Sequence, residues 1–125
     1  MPSSHKDVFE RSINDPEGFW AEAAQETSWI KTWDCVLDAS NPPFFRWFPG
    51  AVLNTCYNAV DFHVENGRAD QAALIYDSPV TDTVKTFTYQ ELCETVSVFA
   101  GVLANHGVIK GDRVIIYMPM VPEAL

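Results

Sequence analysis

The chain has 125 residues, of which 47% are hydrophobic and 20% are charged, and its formal net charge at pH 7 is −9. This composition is ordinary for a soluble domain. Residues 1–62 hold nine acidic side chains against four basic ones, and residues 63–125 hold eight against four. Such even acidity argues against nucleic acid or a membrane surface as a partner, because both require a basic footprint. ATP and CoA are not excluded, since a small site can be locally basic.

Targeting signals and cysteines bear on the compartment. The chain contains no run of 18 apolar residues, so no membrane span is predicted. The amino end lacks the apolar core of a secretory signal and is acidic for a mitochondrial presequence. The cysteines are Cys35, Cys56 and Cys93, an odd number at wide spacing, which predicts free thiols in a reducing compartment. We therefore expect a cytoplasmic protein, with the mitochondrial matrix as the alternative.

The amino-terminal half reads mainly as helix and connector. Residues 1–12 are predicted to be loose or a short helix. Asn14 or Asp15 can cap a helix that begins at Pro16 and ends near Thr27. Residues 36–43 are predicted to be a connector, and residues 44–50 an aromatic patch with a turn. Residues 52–63 have helical spacing. Trp29 and Trp33, four residues apart, are expected to lie on the surface of a larger body.

The next segment predicts a β-hairpin. Residues 65–70 form a loop, and residues 72–76 read as a short apolar strand. Residues 77–79 supply turn chemistry, and residues 85–88 can return antiparallel to the first strand.

A capped amphipathic helix follows the hairpin. Thr88 and Glu91 have the spacing of a capping box, and Gly107 can take the left-handed conformation that ends a helix. Apolar residues recur at spacings of three and four and predict one buried face: Tyr89, Leu92, Cys93, Val96, Phe99, Ala100 and Leu103.

The last segment predicts a buried strand. Residues 113–118 run without polar alternation, as in a parallel sheet covered on both faces. Pro119 ends this strand, and Pro122 begins a helical turn. We predict an α/β fold in which an amino-terminal helical arm precedes a hairpin, helix and strand unit joined by a right-handed crossover. This unit is expected to be an incomplete piece of a larger domain and to be poorly stable alone, because the edges of the 113–118 strand lack neighbours.

Residue chemistry alone offers no convincing active site. Residues 107–111 lie between a helix and a strand, the reverse of a phosphate loop, and are interpreted as a turn. Cys93 is interpreted as a small core residue, and the aromatic residues around Arg46 as packing in preference to a base-stacking surface. Glu91 and Glu94 lie on a solvated helix face. The histidines show no ligand spacing: His5, His63 and His106.

Several separated blocks resemble one family in the right order. Residues 15–20 resemble its DPExFW motif, and residues 46–61 its RWF…G…LN…YN…D block. Residues 88–92 match TY-x-EL, and residues 107–124 match GV-x-KGD-x-V-x-IYMPM-x-PEA. The chain is thereby similar to the amino-terminal region of the AMP-forming short-chain acyl-CoA ligases, the acetyl-CoA and propionyl-CoA synthetases. Phe62 departs from the basic residue that the family often has at this position.

The resemblance implies a two-step reaction. A short carboxylate attacks ATP to give an acyl-adenylate and pyrophosphate, and the thiol of CoA then displaces AMP, with magnesium at the phosphates. Residues 1–64 correspond to the helical arm and residues 65–125 to the start of the AMP-binding domain. No catalytic, cofactor-binding or metal-binding residue of the family maps onto this chain. The segment alone is therefore expected to be inactive and to bind ATP, CoA and magnesium poorly.

Two details of the interpretation remain open. Residues 12–20, residues 57–61 and the hairpin at residues 77–82 favour the propionyl-CoA synthetases and their mitochondrial relatives. A free-standing acidic α/β protein-interaction module without catalysis is the alternative function. The sequence does not predict the oligomeric state.

Overall fold

A computed structural model describes residues 4–125, so the first three residues of the predicted loose or helical amino end lie outside the described part. The chain divides into two compact units, residues 1–58 and residues 59–125. We refer to them as the amino-terminal unit and the carboxyl-terminal unit.

Two capped helices begin the amino-terminal unit. Helix α1 (His5–Asn14) starts with a capping box, in which Ser4 and Asp7 each bind the other's backbone N–H. Helix α2 (Pro16–Ala23) has Pro16 at its first position, and the Asp15 carboxylate accepts a hydrogen bond from Gly18. A 3-10 turn over Ala24–Glu26 ends at Thr27. The prediction of a helix capped at Asp15 and ending near Thr27 is confirmed.

The rest of this unit contains a small antiparallel sheet. Strands β1 (Leu37–Asp38) and β2 (Arg46–Trp47) pair so that Asp38 faces Arg46. Strand β1 lies in the segment predicted as a connector. The two strands bring the buried Val36 and the aromatic patch into one region, because Phe48 donates its backbone N–H to the carbonyl of Val36 over 2.8 Å.

The prediction of one continuous helix over residues 52–63 is wrong. Helix α3 (Thr55–Ala59) and the short helix α4 (Asp61–His63) are separated by Val60, whose φ of −128° and ψ of −69° are not helical. Val60 is one of the few buried apolar residues, with 7% of its surface exposed. Burial of this β-branched side chain accompanies the break, and the helical spacing alone could not predict it.

The hairpin and the long helix are confirmed in the carboxyl-terminal unit. A helical turn over Val64–Arg68 is kinked at Gly67, whose φ is 77°. Strands β3 (Ala72–Ser78) and β4 (Thr83–Thr88) pair antiparallel. Helix α5 (Tyr89–Asn105) begins with the predicted capping box of Thr88 and Glu91 and is followed by Gly107 at φ 84°. Its apolar face is only partly covered, since no residue of α5 is buried and Phe99 is 59% exposed.

Residues 113–118, predicted as a strand whose neighbours are missing, form no paired strand in the described residues. This stretch is extended but belongs to no sheet, and both sheets of the described residues are two-stranded and antiparallel. The predicted parallel pairing and its crossover are therefore not present in residues 4–125. A strand requires a hydrogen-bonded neighbour, and no described segment pairs with this one. The turn predicted at Pro122 is present as a 3-10 turn, Pro122–Ala124.

Candidate functional site

The aromatic residues of the amino-terminal unit pack on one another. Trp29, Trp33 and Phe48 form a closed group with ring centroids 5.0 to 5.6 Å apart. The indole N–H of Trp29 is also satisfied, because it donates to the carbonyl of Ala24 over 2.7 Å. These rings pack against one another, which fits the packing interpretation of the patch.

Arg46 at the edge of this group is already bound. Its guanidinium forms an ion pair with Asp38 across strands β1 and β2. Asp38 also accepts a hydrogen bond from the backbone N–H of Ser40 over 3.0 Å. The hydrogen bonds from Ser40, and next the Arg46 guanidinium, lower the pKa of Asp38 to about 2. Arg46 is thus a structural cation here, and a phosphate group would have to displace its carboxylate.

The lowered pKa of Asp38 predicts an acid-sensitive contribution to stability. Because the folded-state pKa lies below the ordinary value of 3.8, the contribution is present above that value and is lost as the pH falls toward 2. In the parent, the urea midpoint of the amino-terminal unit should fall between about pH 5 and about pH 2. In Asp38→Asn this fall should be smaller. Tryptophan fluorescence measures this unit alone, because the four tryptophans all lie within residues 1–58.

A matched control separates Asp38 from general acid effects. Asp34 is a second aspartate of this unit, with an exposed ion pair to Lys31 at 3.5 Å. Asp34→Asn should retain the acid loss due to Asp38. Glu22, whose pKa is lowered by its hydrogen bond with Arg11, remains in both variants. Equal pH profiles for Asp34→Asn and Asp38→Asn would refute the assignment.

Asn58 closes the amino-terminal unit through a clamp that sequence reasoning missed. Its side-chain oxygen accepts from the backbone N–H of Ser28 over 2.8 Å, and its amide nitrogen donates to the carbonyl of Ser28 over 2.9 Å. The same nitrogen donates to the carbonyl of Asn54 over 2.9 Å. The Asn58 side chain therefore bonds both backbone groups of Ser28, 30 positions away, as a neighbouring strand would. Its place in the YN pair of the motif block was the available signal.

A shallow pocket lies beside the clamp. It has a volume of about 280 Å³ and is lined by Ser28, Ile30, Asn54 and Tyr57. None of these four side chains is ionisable except the Tyr57 phenol. The pocket consequently lacks the convergent charges that would hold a triphosphate or a carboxylate.

A polar cluster lies in the carboxyl-terminal unit. The Cys93 thiol donates to Asp61 over 3.6 Å. The Tyr89 ring is 4.6 Å from the His63 ring, and the Arg68 guanidinium is 5.4 Å from the Tyr89 ring. Arg68 and His63 approach at 3.1 Å between Nη1 and Nδ1. The thiol contacts a carboxylate, whereas activated cysteines lie next to cations or an imidazole base, so this contact does not activate Cys93.

The other sequence candidates have structural partners. Glu91 caps α5, and Glu94 accepts from Gln90 over 2.7 Å. His106 follows the end of α5 and donates its backbone N–H to the last turn, while His5 stacks with Phe9. Residues 107–111 form a turn in which Asp112 accepts from the backbone N–H of Ile109 over 2.8 Å.

Residues 4–125 contain neither a candidate metal site nor a membrane-spanning helix. This part of the chain has no group of three or more His, Cys, Asp or Glu residues that could hold a metal ion. It also has no helix of sufficient length and apolarity to cross a bilayer. The three cysteines are free, as predicted, with Cys35 and Cys56 exposed and Cys93 half-buried.

Comparison with known proteins identifies two consecutive family segments. Residues 5–59 match the family described as acetyl-coenzyme A synthetase N-terminus. Residues 62–125 match the family described as AMP-binding enzyme. The matches follow the chain in the order of the motif blocks.

Individual relatives give the same result. Human acyl-CoA synthetase short-chain family member 3, mitochondrial, is 54% identical over 98% of this chain and 18% of its own length. The acetyl-coenzyme A synthetase of Alcanivorax borkumensis is 50% identical over 93% of this chain and 18% of its own. The propionate–CoA ligase of Salmonella typhimurium is 45% identical over 97% and 19%. The chain thus spans about a fifth of the length of these relatives.

Proposed function

Because this chain belongs to the family of AMP-binding enzymes, we propose that it supplies the amino-terminal scaffold of an AMP-forming short-chain acyl-CoA ligase. The observation that carries the proposal is the pair of consecutive family matches, over residues 5–59 and 62–125. In the complete enzyme, a short carboxylate would be joined to AMP with release of pyrophosphate, and the thiol of CoA would then take the acyl group.

We place the contacts to ATP, magnesium and CoA outside these 125 residues. Phosphate groups require cations and N–H donors directed at one point, and magnesium requires several oxygen ligands. Three observations on residues 4–125 support this placement: Arg46 is bound to Asp38, Arg68 stacks on Tyr89, and no group of three or more His, Cys, Asp or Glu could hold a metal. We therefore propose that this segment takes no direct part in the chemical steps.

The proposed domain organisation has an arm over residues 1–64 and the start of the AMP-binding domain over residues 65–125. Two observations support a boundary in this region. The compact units divide after residue 58, and the two family matches meet between residues 59 and 62. The helix break at Val60 lies in the same interval.

Propionate is the acid that we propose for the complete enzyme. The motif variants at residues 12–20, 57–61 and 77–82 support this choice. The preference is measured on the full-length enzyme that carries this sequence, as the ratio of kcat/KM for propionate and acetate. A ratio in favour of acetate would overturn it.

The mitochondrial matrix is the compartment favoured by the relatives named as mitochondrial, at 53–54% identity. The cytosol is the competing location, because two relatives are bacterial. Fractionation of cells that express the full-length enzyme separates the two.

A chimeric enzyme tests the scaffold role. Residues 1–125 would replace the matching segment of the Salmonella propionate–CoA ligase, and pyrophosphate release would be measured with propionate, ATP, magnesium and CoA. We expect the chimera to turn over within about tenfold of its parent, because the aligned scaffold is 45% identical and the chemical groups are left in place. The 125-residue chain alone should release no pyrophosphate.

Two results would contradict the proposal. Turnover by the isolated chain would place chemistry in the segment itself. A chimera that folds but is inactive, while the parent is active under the same conditions, would favour the alternative of an independent interaction module.

A further inference from the structure

Asn66 and Gly67 form an asparagine–glycine pair in the turn between helix α4 and strand β3. The chain has six asparagines, and only Asn66 is followed by glycine. Both residues of the pair are exposed, and a Cβ placed on Gly67 would meet no atom within 4 Å beyond the adjacent residues. The side-chain amide of Asn66 therefore lies next to a backbone nitrogen whose own residue offers no steric barrier.

An asparagine followed by glycine can react within the chain. The backbone nitrogen of Gly67 attacks the Cγ carbon of Asn66 and gives up its proton, and the new bond closes a succinimide ring. The bond between Cγ and Nδ2 breaks, and ammonia leaves. Water then opens the ring at one of its two carbonyls, which gives either aspartate or isoaspartate. The attack is intramolecular, so it requires no bound partner other than water.

We propose that Asn66 is the site at which this chain deamidates spontaneously. At two other asparagines, the nitrogen that would attack already donates a helical hydrogen bond. The N–H that follows Asn14 donates to the carbonyl of Arg11 over 2.9 Å, and the N–H that follows Asn105 donates to the carbonyl of Val102 over 3.1 Å. These bonds hold both nitrogens away from the neighbouring side-chain amide.

The remaining asparagines are hindered in other ways. Asn41 precedes Pro42, whose nitrogen carries no hydrogen. Asn54 precedes the β-branched Thr55, whose side chain crowds the backbone. The Asn58 amide nitrogen donates to two backbone carbonyls, each over 2.9 Å. Asn66 is thus distinguished both by its neighbour in the sequence and by its place in an exposed turn.

One hydrogen bond of the fold opposes the reaction at Asn66. Its amide nitrogen donates to the carbonyl of Phe62 over 2.7 Å. The bond spans four residues at a kink, where Asn66 has a φ of −97° and Gly67 a φ of 77°. A local bond on an exposed turn opens at a low cost in free energy. The bond therefore slows deamidation in the folded chain and does not prevent it.

Deamidation would loosen the junction between this turn and helix α5. A carboxylate cannot donate to the Phe62 carbonyl, and isoaspartate adds one carbon to the backbone between residues 66 and 67. Two backbone bonds join the following residues to the start of α5: Tyr89 donates to Gln71 and Gln90 donates to Ala69, each over 3.1 Å. All these contacts lie within residues 62–90, and the inference does not depend on the ligase proposal.

Peptide mapping by mass spectrometry of the 125-residue chain, aged at mildly alkaline pH, tests the site. Isoaspartate is confirmed by labelling with a protein isoaspartate methyltransferase. We expect residue 66 to convert at least about tenfold faster than Asn105. The rate should rise with pH, because the attacking nitrogen must lose its proton, and it should rise further in urea, which opens the bond to Phe62.

Matched variants and hydrogen exchange complete the test. Asn66→Gln should abolish the fast conversion, because the longer side chain cannot close the same ring, whereas Asn105→Gln should leave it unchanged. In the isoaspartate form, separated by ion exchange, the amides of Tyr89 and Gln90 should exchange faster than in the parent. The amide of Val108, which bonds Leu103 over 3.1 Å, should not change.

Three results would overturn the proposal. Equal conversion of Asn66 and Asn105 would show that the glycine and the turn have no effect. Conversion of Asn66 in urea but not in the folded chain would show that the fold prevents the reaction. Unchanged exchange at Tyr89 and Gln90 in the isoaspartate form would show that deamidation does not loosen the junction with α5.

Discussion

Asn58→Ala is expected to destabilise the amino-terminal unit by about 2–3 kcal/mol. The substitution removes three hydrogen bonds, two to the backbone of Ser28 and one to the carbonyl of Asn54. It leaves the Ser28 N–H and C=O in a half-buried position without their partner. A polar group that is left unpaired on burial costs more than the average hydrogen bond contributes.

Urea unfolding followed by tryptophan fluorescence measures this effect. All four tryptophans lie in residues 1–58, so the signal reports the amino-terminal unit and is unaffected by the carboxyl-terminal unit. Asn14→Ala is the control, because Asn14 is an exposed residue at the end of α1. Its free energy of unfolding should stay within about 0.5 kcal/mol of that of the parent.

Asn58→Asp distinguishes the donor from the acceptor. The aspartate could still accept from the Ser28 N–H, but its second oxygen would face the carbonyls of Ser28 and Asn54, to which Asn58 now donates. We expect this variant to be less stable than the parent at neutral pH and to recover in part as the carboxylate is protonated. An Asn58→Ala midpoint equal to that of Asn14→Ala would show that the clamp contributes nothing.

Local chemistry was predictable from the sequence. The caps at Asp15 and Thr88 and the left-handed Gly107 each depend on residues within a few positions of one another. The hairpin was predictable because apolar runs flank a turn, although strand β3 extends two residues beyond the predicted end, to Ser78. In each case the interaction that forms the element is contained in the segment that displays the pattern.

Long-range pairing was not predictable. The apolar run over residues 113–118 has strand composition, but no described segment pairs with it. The clamp joins residues 28 and 58, and the thiol contact joins residues 61 and 93. An asparagine or a cysteine is compatible with many environments, so only the fold reveals which partner it meets. That these residues hold no active site of their own remains a prediction, and the proposed scaffold role depends on the family relationship.

Phe48→Ala is expected to destabilise the amino-terminal unit by about 2–3 kcal/mol. The ring contacts Trp29, Trp33 and Trp47 with centroid distances of 5.6, 5.0 and 6.1 Å. Its removal leaves a gap among these large rings and loses their contacts. The value lies below that of a fully buried phenylalanine because Phe48 is half-buried.

Phe44→Ala is the matched control, with the same substitution four residues earlier at a side chain that is 74% exposed. It should change stability by less than about 0.5 kcal/mol. Because the lost ring lies against tryptophans, the urea midpoint is compared between variants, and the fluorescence amplitude is not. Equal midpoints for the two alanine variants would contradict a packing role for Phe48.

A glycine variant tests the backbone at the same position. Phe48 has a φ of +52°, in the left-handed region where a side chain costs about 1 kcal/mol and glycine costs none. Glycine usually destabilises a protein relative to alanine, because it has more freedom in the unfolded chain. Here the order should reverse, so that Phe48→Gly is at least as stable as Phe48→Ala. A glycine variant that is less stable by about 0.5–1 kcal/mol would show that residue 48 is not held in this conformation in solution.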